Sequence, residues 1–248
     1  LKEVKCGDLK YGRHFYDYQE GTLVFSSPGQ VIEVENNGEQ YQPMGHALAF
    51  HPDFFRGTST ASNFLKHHFF GYNTNEALHL SERERQIVTD CFHKIHLELQ
   101  QSINRYSKKL ITLNIELFLS YCERFYDRQF ITREHINKGI LEKFDHLLDD
   151  YLSSEKPKEI GLPSVTHFAR ELHLSVNYFG DLIKKESGIS AQEYIHSKIL
   201  ELAKDRIFDV DKNFNEVAFE LGFKYPQHFS RFFKQRTGFS PSEYRSNS

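Results

Sequence analysis

A repeat of 50 positions organises the second half of this 248-residue chain. Phe179 and Phe229, Ile183 and Phe233, Lys184 and Lys234, Gly188 and Gly238, and Tyr194 and Tyr244 all pair at that offset. A constant separation across so many matched residue types marks a duplicated supersecondary unit. The second copy is the easier to read. Val217, Ala218 and Leu221 give a short helix an apolar face, and Gly222 falls where that helix must stop and the backbone turn left-handed, a conformation that costs glycine little. Phe229, Phe232 and Phe233 then recur at i, i+3 and i+4, the spacing of a buried helix face, while Gln227, His228, Arg231 and Lys234 fall on the opposite side. A short helix, a tight turn and a second helix with donors on its free face is the layout of a helix-turn-helix unit, whose second helix reads a DNA major groove. Ser164–Leu174 and Ser175–Gly188 form the first copy. Between the copies Ile195–Phe208, with Ile199, Leu202 and Ile207 apolar, is expected to be one helix that holds them at a fixed separation.

The run Ala218, Gly222-Phe223, Phe229, Arg231, Phe233-Lys234, Gly238, Ser240-Pro241 and Tyr244-Arg245 resembles the signature of the AraC/XylS family of transcription regulators, and the resemblance extends over about residues 160–248. It implies an all-α domain of seven helices with two helix-turn-helix units and a linking helix. It also implies double-stranded DNA as the ligand, RNA polymerase as a partner, and activation more often than repression. Two reading helices on one rigid chain would enter successive major grooves roughly 34 Å apart and read a direct, non-palindromic site.

In the second unit Gln227, His228 and Arg231 are the expected base contacts, with Lys234 on the same face. Gln pairs with adenine N6/N7 and Arg with guanine O6/N7, each good pair contributing roughly 1–3 kcal/mol of discrimination. The bland alternative for these residues is a solvated helix face. In the first unit the equivalent positions are Val176, Asn177, Gly180 and Asp181, with Lys184 nearer the backbone. Asn177 is the main specific contact expected there. Asp181 would repel phosphates; it either accepts from cytosine N4 or pairs within its helix with Lys184 or Lys185. The net charge of −3 argues against an indiscriminate nucleic-acid binder. Residues 159–248 hold 12 Lys/Arg and 12 Asp/Glu, so positive charge must be gathered on one face. The stretch 222–248 does this, with Lys224, Arg231, Lys234, Arg236 and Arg245 against Glu243. Binding should be strongly salt-sensitive, with specificity resting on base contacts.

The first half reads differently. Short runs such as Thr22-Leu-Val-Phe25, Val31-Ile-Glu-Val34 and Ala47-Leu-Ala-Phe50 are punctuated by Gly and Pro, and Asn36-Asn37-Gly38 is a hairpin signal. Short strands at this spacing suggest a sandwich or barrel. Residues 59–70 read as either a short helix or an edge strand. Ser81 with Glu84 predicts a capping box, followed by two amphipathic helices, the first carrying Ile87, Val88, Cys91, Phe92, Ile95 and Leu99, the second Leu110, Leu113, Leu117, Tyr121 and Phe125. A helix is expected over 133–153, then a polar, poorly structured loop over 153–161. The fold class is therefore α+β: a cupin-like β-barrel and two amphipathic helices over 1–128, then an all-α domain with two helix-turn-helix units over 129–248. The chain does not open on Met, and residues preceding Leu1 are expected in the natural protein.

Gly21-Thr-Leu-Val-Phe25 with Ser27-Pro-Gly-Gln30, and His46-Ala-Leu-Ala-Phe-His-Pro-Asp53, resemble the cupin-like sensor domain common in the AraC/XylS family. The resemblance implies a small-molecule effector inside the barrel and homodimerisation through the helices that follow. Phe15, Phe25 and Phe50 would then line a pocket, or else fill a closed core. Ile87, Cys91, Leu113, Leu117 and Tyr121 would make the dimer contact or pack on the barrel. No metal is expected: His46 and His51 lack a metal-ligand spacing, and His93 with His96 has no third ligand in view. No cofactor is expected either. The missing metal triad argues against an enzyme such as a cupin-type dioxygenase or isomerase. An effector-free regulator whose barrel only dimerises is the remaining alternative. Cys6, Cys91 and Cys122 are unclustered, which fits reduced thiols in a cytoplasm, and no apolar run approaches the roughly 20 residues of a membrane span.

Overall fold

Helix forms wherever the sequence carries a 3.6-residue apolar period. The computed structural model describes residues 1, 9–11, 14–16, 21–27, 45–57, 67–209 and 211–247. It divides into two units, Leu1–Glu134 and His135–Ser248.

In the first unit β1 (Leu9–Tyr11) pairs antiparallel with β2 (His14–Tyr16), and β3 (Thr22–Leu23) with β4 (Leu78–His79), placing Leu23 opposite Leu78. Short 3-10 turns occupy Pro52–Phe55, His68–Gly71 and Thr74–Glu76. Among the described residues these two strand pairs are the only sheets, and no barrel is seen. The expected strand 31–34, the hairpin at 36–38 and most of 59–70 lie outside the described residues, while 47–50 is not in a strand.

Two long helices follow, α1 (Glu82–Gln100) and α2 (Ser107–Thr132), and they pack on each other. The capping box forms as the sequence predicts: Ser81 Oγ accepts from the Glu84 N–H, and the Ser81 N–H donates to Glu84. The α1 face Val88, Cys91, Phe92 and Ile95 is buried, with Phe92 5.0 Å from Phe118 of α2. The α2 stripe differs from expectation. Its buried face is Ile111, Ile115, Phe118, Leu119, Cys122 and, as expected, Phe125, while Leu110, Leu113 and Leu117 are 44%, 49% and 42% exposed. Apolar residues make up half of this helix, so two faces satisfy the period, and packing selects the one bearing most of the aromatics. Gln129 ties the helix to the sheet: its amide oxygen accepts from the His79 N–H at 2.8 Å and its amide nitrogen donates to the Ala77 carbonyl at 3.1 Å. Buried on α2, it continues the edge of β4 as a further strand would.

The second unit opens with α3 (Glu134–Ser153) and α4 (Lys156–Ile160). The expected loop at 153–161 is thus largely helical. Pro157 sits in the first turn of α4, where its missing N–H and fixed φ suit a helix, and it is buried there. Next come α5 (Val165–Glu171) and α6 (Val176–Ser187), then the linking helix α7 (Ala191–Arg206), which starts and ends slightly earlier than Ile195–Phe208. The second copy is α8 (Phe214–Glu220) and α9 (Pro226–Thr237), closed by α10 (Pro241–Asn247). Phe144 of α3 is fully buried and lies 5.1 Å from Phe168, 5.0 Å from Phe179 and 5.3 Å from Tyr194, so one ring joins four helices. Burying such a ring contributes roughly 1.5–3 kcal/mol.

Candidate nucleic-acid interface

Each helix-turn-helix unit is held by the same backbone device. After α5 the Leu174 N–H donates to the Ala169 carbonyl at 2.8 Å; after α8 the Phe223 N–H donates to the Ala218 carbonyl at 2.9 Å. Both helices therefore end in a left-handed turn that recovers an orphan carbonyl. The turn residue is Gly222 at φ 92° in the second unit and His173 at φ 57° in the first. Gly222 is required for a second reason: a Cβ there would lie 2.8 Å from the Gly161 carbonyl carbon and 2.9 Å from the Leu162 nitrogen. The second turn is also one residue longer, so the repeat offset is 49 before it, as at Ala169 and Ala218, and 50 after it.

The reading helices end alike. Gly188 and Gly238 adopt φ 79° and 85°, and their N–H groups donate to the carbonyls of Lys184 and Lys234 at 3.0 and 2.9 Å. On α9, Phe229 and Phe233 are fully buried, while Gln227, His228, Arg231 and Lys234 are all exposed. The His228 ring stands edge-on to Tyr225 at 5.4 Å, and the Lys224 ammonium lies 5.9 Å from the same Tyr225 ring. On α6, Tyr178, Phe179, Leu182 and Ile183 are buried; Val176, Asn177 and Lys184 are exposed; Gly180 and Asp181 are half-buried. The seven residues predicted to contact DNA therefore fall on the outward faces of two corresponding helices, Asp181 least exposed among them.

Two of the five basic residues of 222–248 are used inside the fold. Arg245 donates from Nε to the Ile207 carbonyl and from Nη2 to the carbonyls of Asp209 at 3.1 Å and Lys212 at 3.4 Å, with its guanidinium 4.3 Å from the Phe214 ring. It closes the C-terminal end of α7. Arg236 is paired with Glu193 of α7. The guanidinium holds the Glu193 carboxyl below the usual carboxylate range. Lys224, Arg231 and Lys234 remain as the exposed cations. Sequence reading placed Arg236 and Arg245 with the outward charge because a linear count cannot tell a cation that caps carbonyls from one that faces solvent. The Glu193–Arg236 pair was missed because its residues are 43 positions apart.

In the first unit Phe25 is buried against Phe69 at 4.4 Å, Phe70 at 5.3 Å, Phe118 at 6.2 Å and Tyr126 at 6.3 Å, a packing role. Phe50 stands edge-on to Phe55, and the side chain of Phe15, on β2, lies outside the described residues. Cys91 is buried, Ile87 is half-buried, and Tyr121 stacks on Phe125 at 5.8 Å; Leu113 and Leu117 point outward. Burial pushes the thiols of Cys91 and Cys122 up, and both are free. His93 and His96 are exposed on α1, and among the described residues no group of three His, Cys, Asp or Glu could hold a metal ion. No described helix is long and apolar enough to cross a membrane.

A helix-turn-helix domain model matches residues 168–247. The HTH-type transcriptional regulator YobQ of Bacillus subtilis is 34% identical over 257 residues, covering 99% of this chain and 95% of YobQ. The regulator YtdP of the same organism is 32% identical over 108 residues, 44% of this chain, and YijO of Escherichia coli is 26% identical over 167 residues, 67% of this chain. The matches span 13% of YtdP and 55% of YijO, so these relatives are considerably longer than the part they share with it. With a duplicated helix-turn-helix unit, its signature residues and a relative matched along nearly its whole length, the chain belongs to the AraC-type helix-turn-helix transcription regulators.

Proposed function

We propose that the protein is a sequence-specific regulator that reads double-stranded DNA with α6 and α9. The observation that carries this reading is the division of α9: Phe229 and Phe233 fully buried, Gln227, His228, Arg231 and Lys234 all exposed along one face. Arg231 and Gln227 supply base-edge donors and acceptors, and Lys234 and Lys184, in the last turns of their helices, supply charge for phosphates. Asn177 reads the base edge in the first half-site, and Asp181 accepts from a cytosine there. The name of YobQ, an HTH-type transcriptional regulator, supports the same class.

Residues 1–128 are the sensor half, a cupin-like domain whose effector biases DNA binding toward activation through RNA polymerase in the cytoplasm. The exposed α2 stripe of Leu110, Leu113 and Leu117 supports a homodimer contact. The dense aromatic surroundings of Phe25 favour a second reading in which this half only dimerises and Phe25 fills a closed core. A melting-temperature rise on adding small-molecule cell extract separates the two, because a ligand selective for the folded form must stabilise it.

Footprinting on promoter DNA upstream of the protein's own and neighbouring genes, over a salt series, tests the DNA reading. Protection across two adjacent major grooves, lost or relaxed in Arg231→Ala, is the expected result. No protection at low salt, with and without cell extract, would refute it.

A further inference from the structure

The duplicated units use one glutamate in two ways. Glu193 and Glu243 are equivalent, each three residues after a helix-capping serine. In the second copy the capping box closes: the Ser240 N–H donates to Glu243 Oε2 at 2.7 Å, and the Glu243 N–H to Ser240 Oγ at 3.3 Å. In the first copy the serine half is present, the Glu193 N–H donating to Ser190 Oγ at 3.2 Å, but the carboxylate is turned away to the second reading helix. There both Glu193 oxygens accept from Arg236 of α9, Nη1 to Oε1 and Nη2 to Oε2, the latter at 3.0 Å. Arg236 Nη2 also lies 2.9 Å from His196 Nδ1, one turn along α7. The Phe232 ring is pinned in the same junction, 5.0 Å from the Arg236 guanidinium and 5.5 Å from the His196 ring.

The first reading helix, α6, cannot make this contact, because its residue equivalent to Arg236 is Glu186 and that equivalent to Phe232 is the buried Leu182. The clamp is therefore confined to the side of α7 that meets α9. The other side of α7 is fixed to α3: the Tyr194 hydroxyl donates to Asp145 at 2.8 Å, and the Lys198 ammonium lies 2.8 Å from the same carboxylate. A bidentate guanidinium–carboxylate pair fixes orientation as well as distance, which a single bond does not.

We propose that the Glu193–Arg236 pair is a positioning device that sets the angle of the second reading helix against the linking helix, and thereby the half-site spacing that the protein accepts. The proposal rests on the DNA reading above and adds spacing specificity to it. Neither residue touches bases; both act through α9.

The test measures affinity of the full chain for its footprinted operator at the native half-site spacing and at spacings about one base pair shorter or longer, with a salt series at each. In Arg236→Ala the native site weakens roughly three- to tenfold, as expected for a coupling of this class. The shifted sites change little, so the spacing profile flattens and the salt slope is kept. The charge-swapped pair Glu193→Arg with Arg236→Glu restores the profile. Glu193→Gln gives the same flattening without a large-to-small change, and a thermal melt of each variant establishes that it is folded. A profile as steep as wild type in folded Arg236→Ala, or no recovery in the swapped pair, overturns the proposal. A uniform loss at every spacing with the salt slope reduced by about one marks Arg236 as a phosphate contact and overturns it too. If the wild type binds none of the sites, the DNA reading itself fails and the clamp falls with it.

Discussion

In the first helix-turn-helix unit the left-handed turn is made by His173 and the reading helix carries Asn177, Gly180 and Asp181; in the second the turn is Gly222 and the same helix positions carry Gln227, Ser230 and Arg231. The scaffold is shared, down to the carbonyl recovered after each first helix and the glycine after each second one. What differs is the outward chemistry and the attachment to the linking helix. Duplication has conserved the parts that packing and backbone geometry demand, the buried Phe179 and Phe229 among them, and left the solvent face to diverge. We propose that the second unit, with its cations and long donors, carries more of the affinity, and that the first, with a short amide and a carboxylate, carries more of the discrimination.

The largest break in that comparison should come at the turn. Gly222→Ala is expected to destabilise the second unit by about 3 kcal/mol or more, since a positive φ and a backbone clash with Gly161 act together; chemical denaturation reads this directly. Next, Arg245→Ala should cost about 2 kcal/mol of stability by releasing the carbonyls of Ile207, Asp209 and Lys212 that follow α7. Its DNA salt slope should match the wild type, because this cation faces inward. Arg231→Ala should do the reverse, leaving the melting temperature unchanged while weakening operator binding roughly tenfold and relaxing specificity at one base pair.

Acidification should weaken both compact units. His67 and His79 in the first and His196 in the second are all held below 6.5, chiefly by burial. A histidine whose folded pKa is depressed binds fewer protons folded than unfolded between the two values. Its contribution is complete above about 6.5 and is lost as pH falls through that window. Melting temperature should therefore drop between about pH 7 and pH 5, and His79→Gln should blunt the drop. Glu193 and Asp145, whose carboxyls are held low, add a further loss in more acid solution. The smallest effect belongs to the other turn: His173→Gly should change stability by less than about 0.5 kcal/mol, relief of the left-handed strain offsetting the extra chain entropy.

The second half was readable because its constraints are local and repeated: Phe179 and Phe229 each with an apolar residue four positions on, a glycine after each reading helix, a serine before the next. Arg236 and Glu193 carry no such local mark; their pairing exists only once α7 and α9 meet. On α2 two apolar faces fit one periodicity, and the ring contacts of Phe118 with Phe25 and Phe92 and of Tyr126 with Phe25 select between them. Pro157 beside Gly161 suggested a loop because proline breaks a helix interior, yet here it lies in a first turn, where it is tolerated.

The asymmetry between the reading helices is tested most directly by fluorescence anisotropy on the footprinted operator with one half-site scrambled at a time. Scrambling the half protected through α9, identified by its sensitivity to Arg231→Ala, should cost more affinity than scrambling the other half, and the remaining binding should keep a shallower salt dependence. Equal losses from the two halves, or a greater loss from the α6 half, would contradict the assignment of affinity to the second unit.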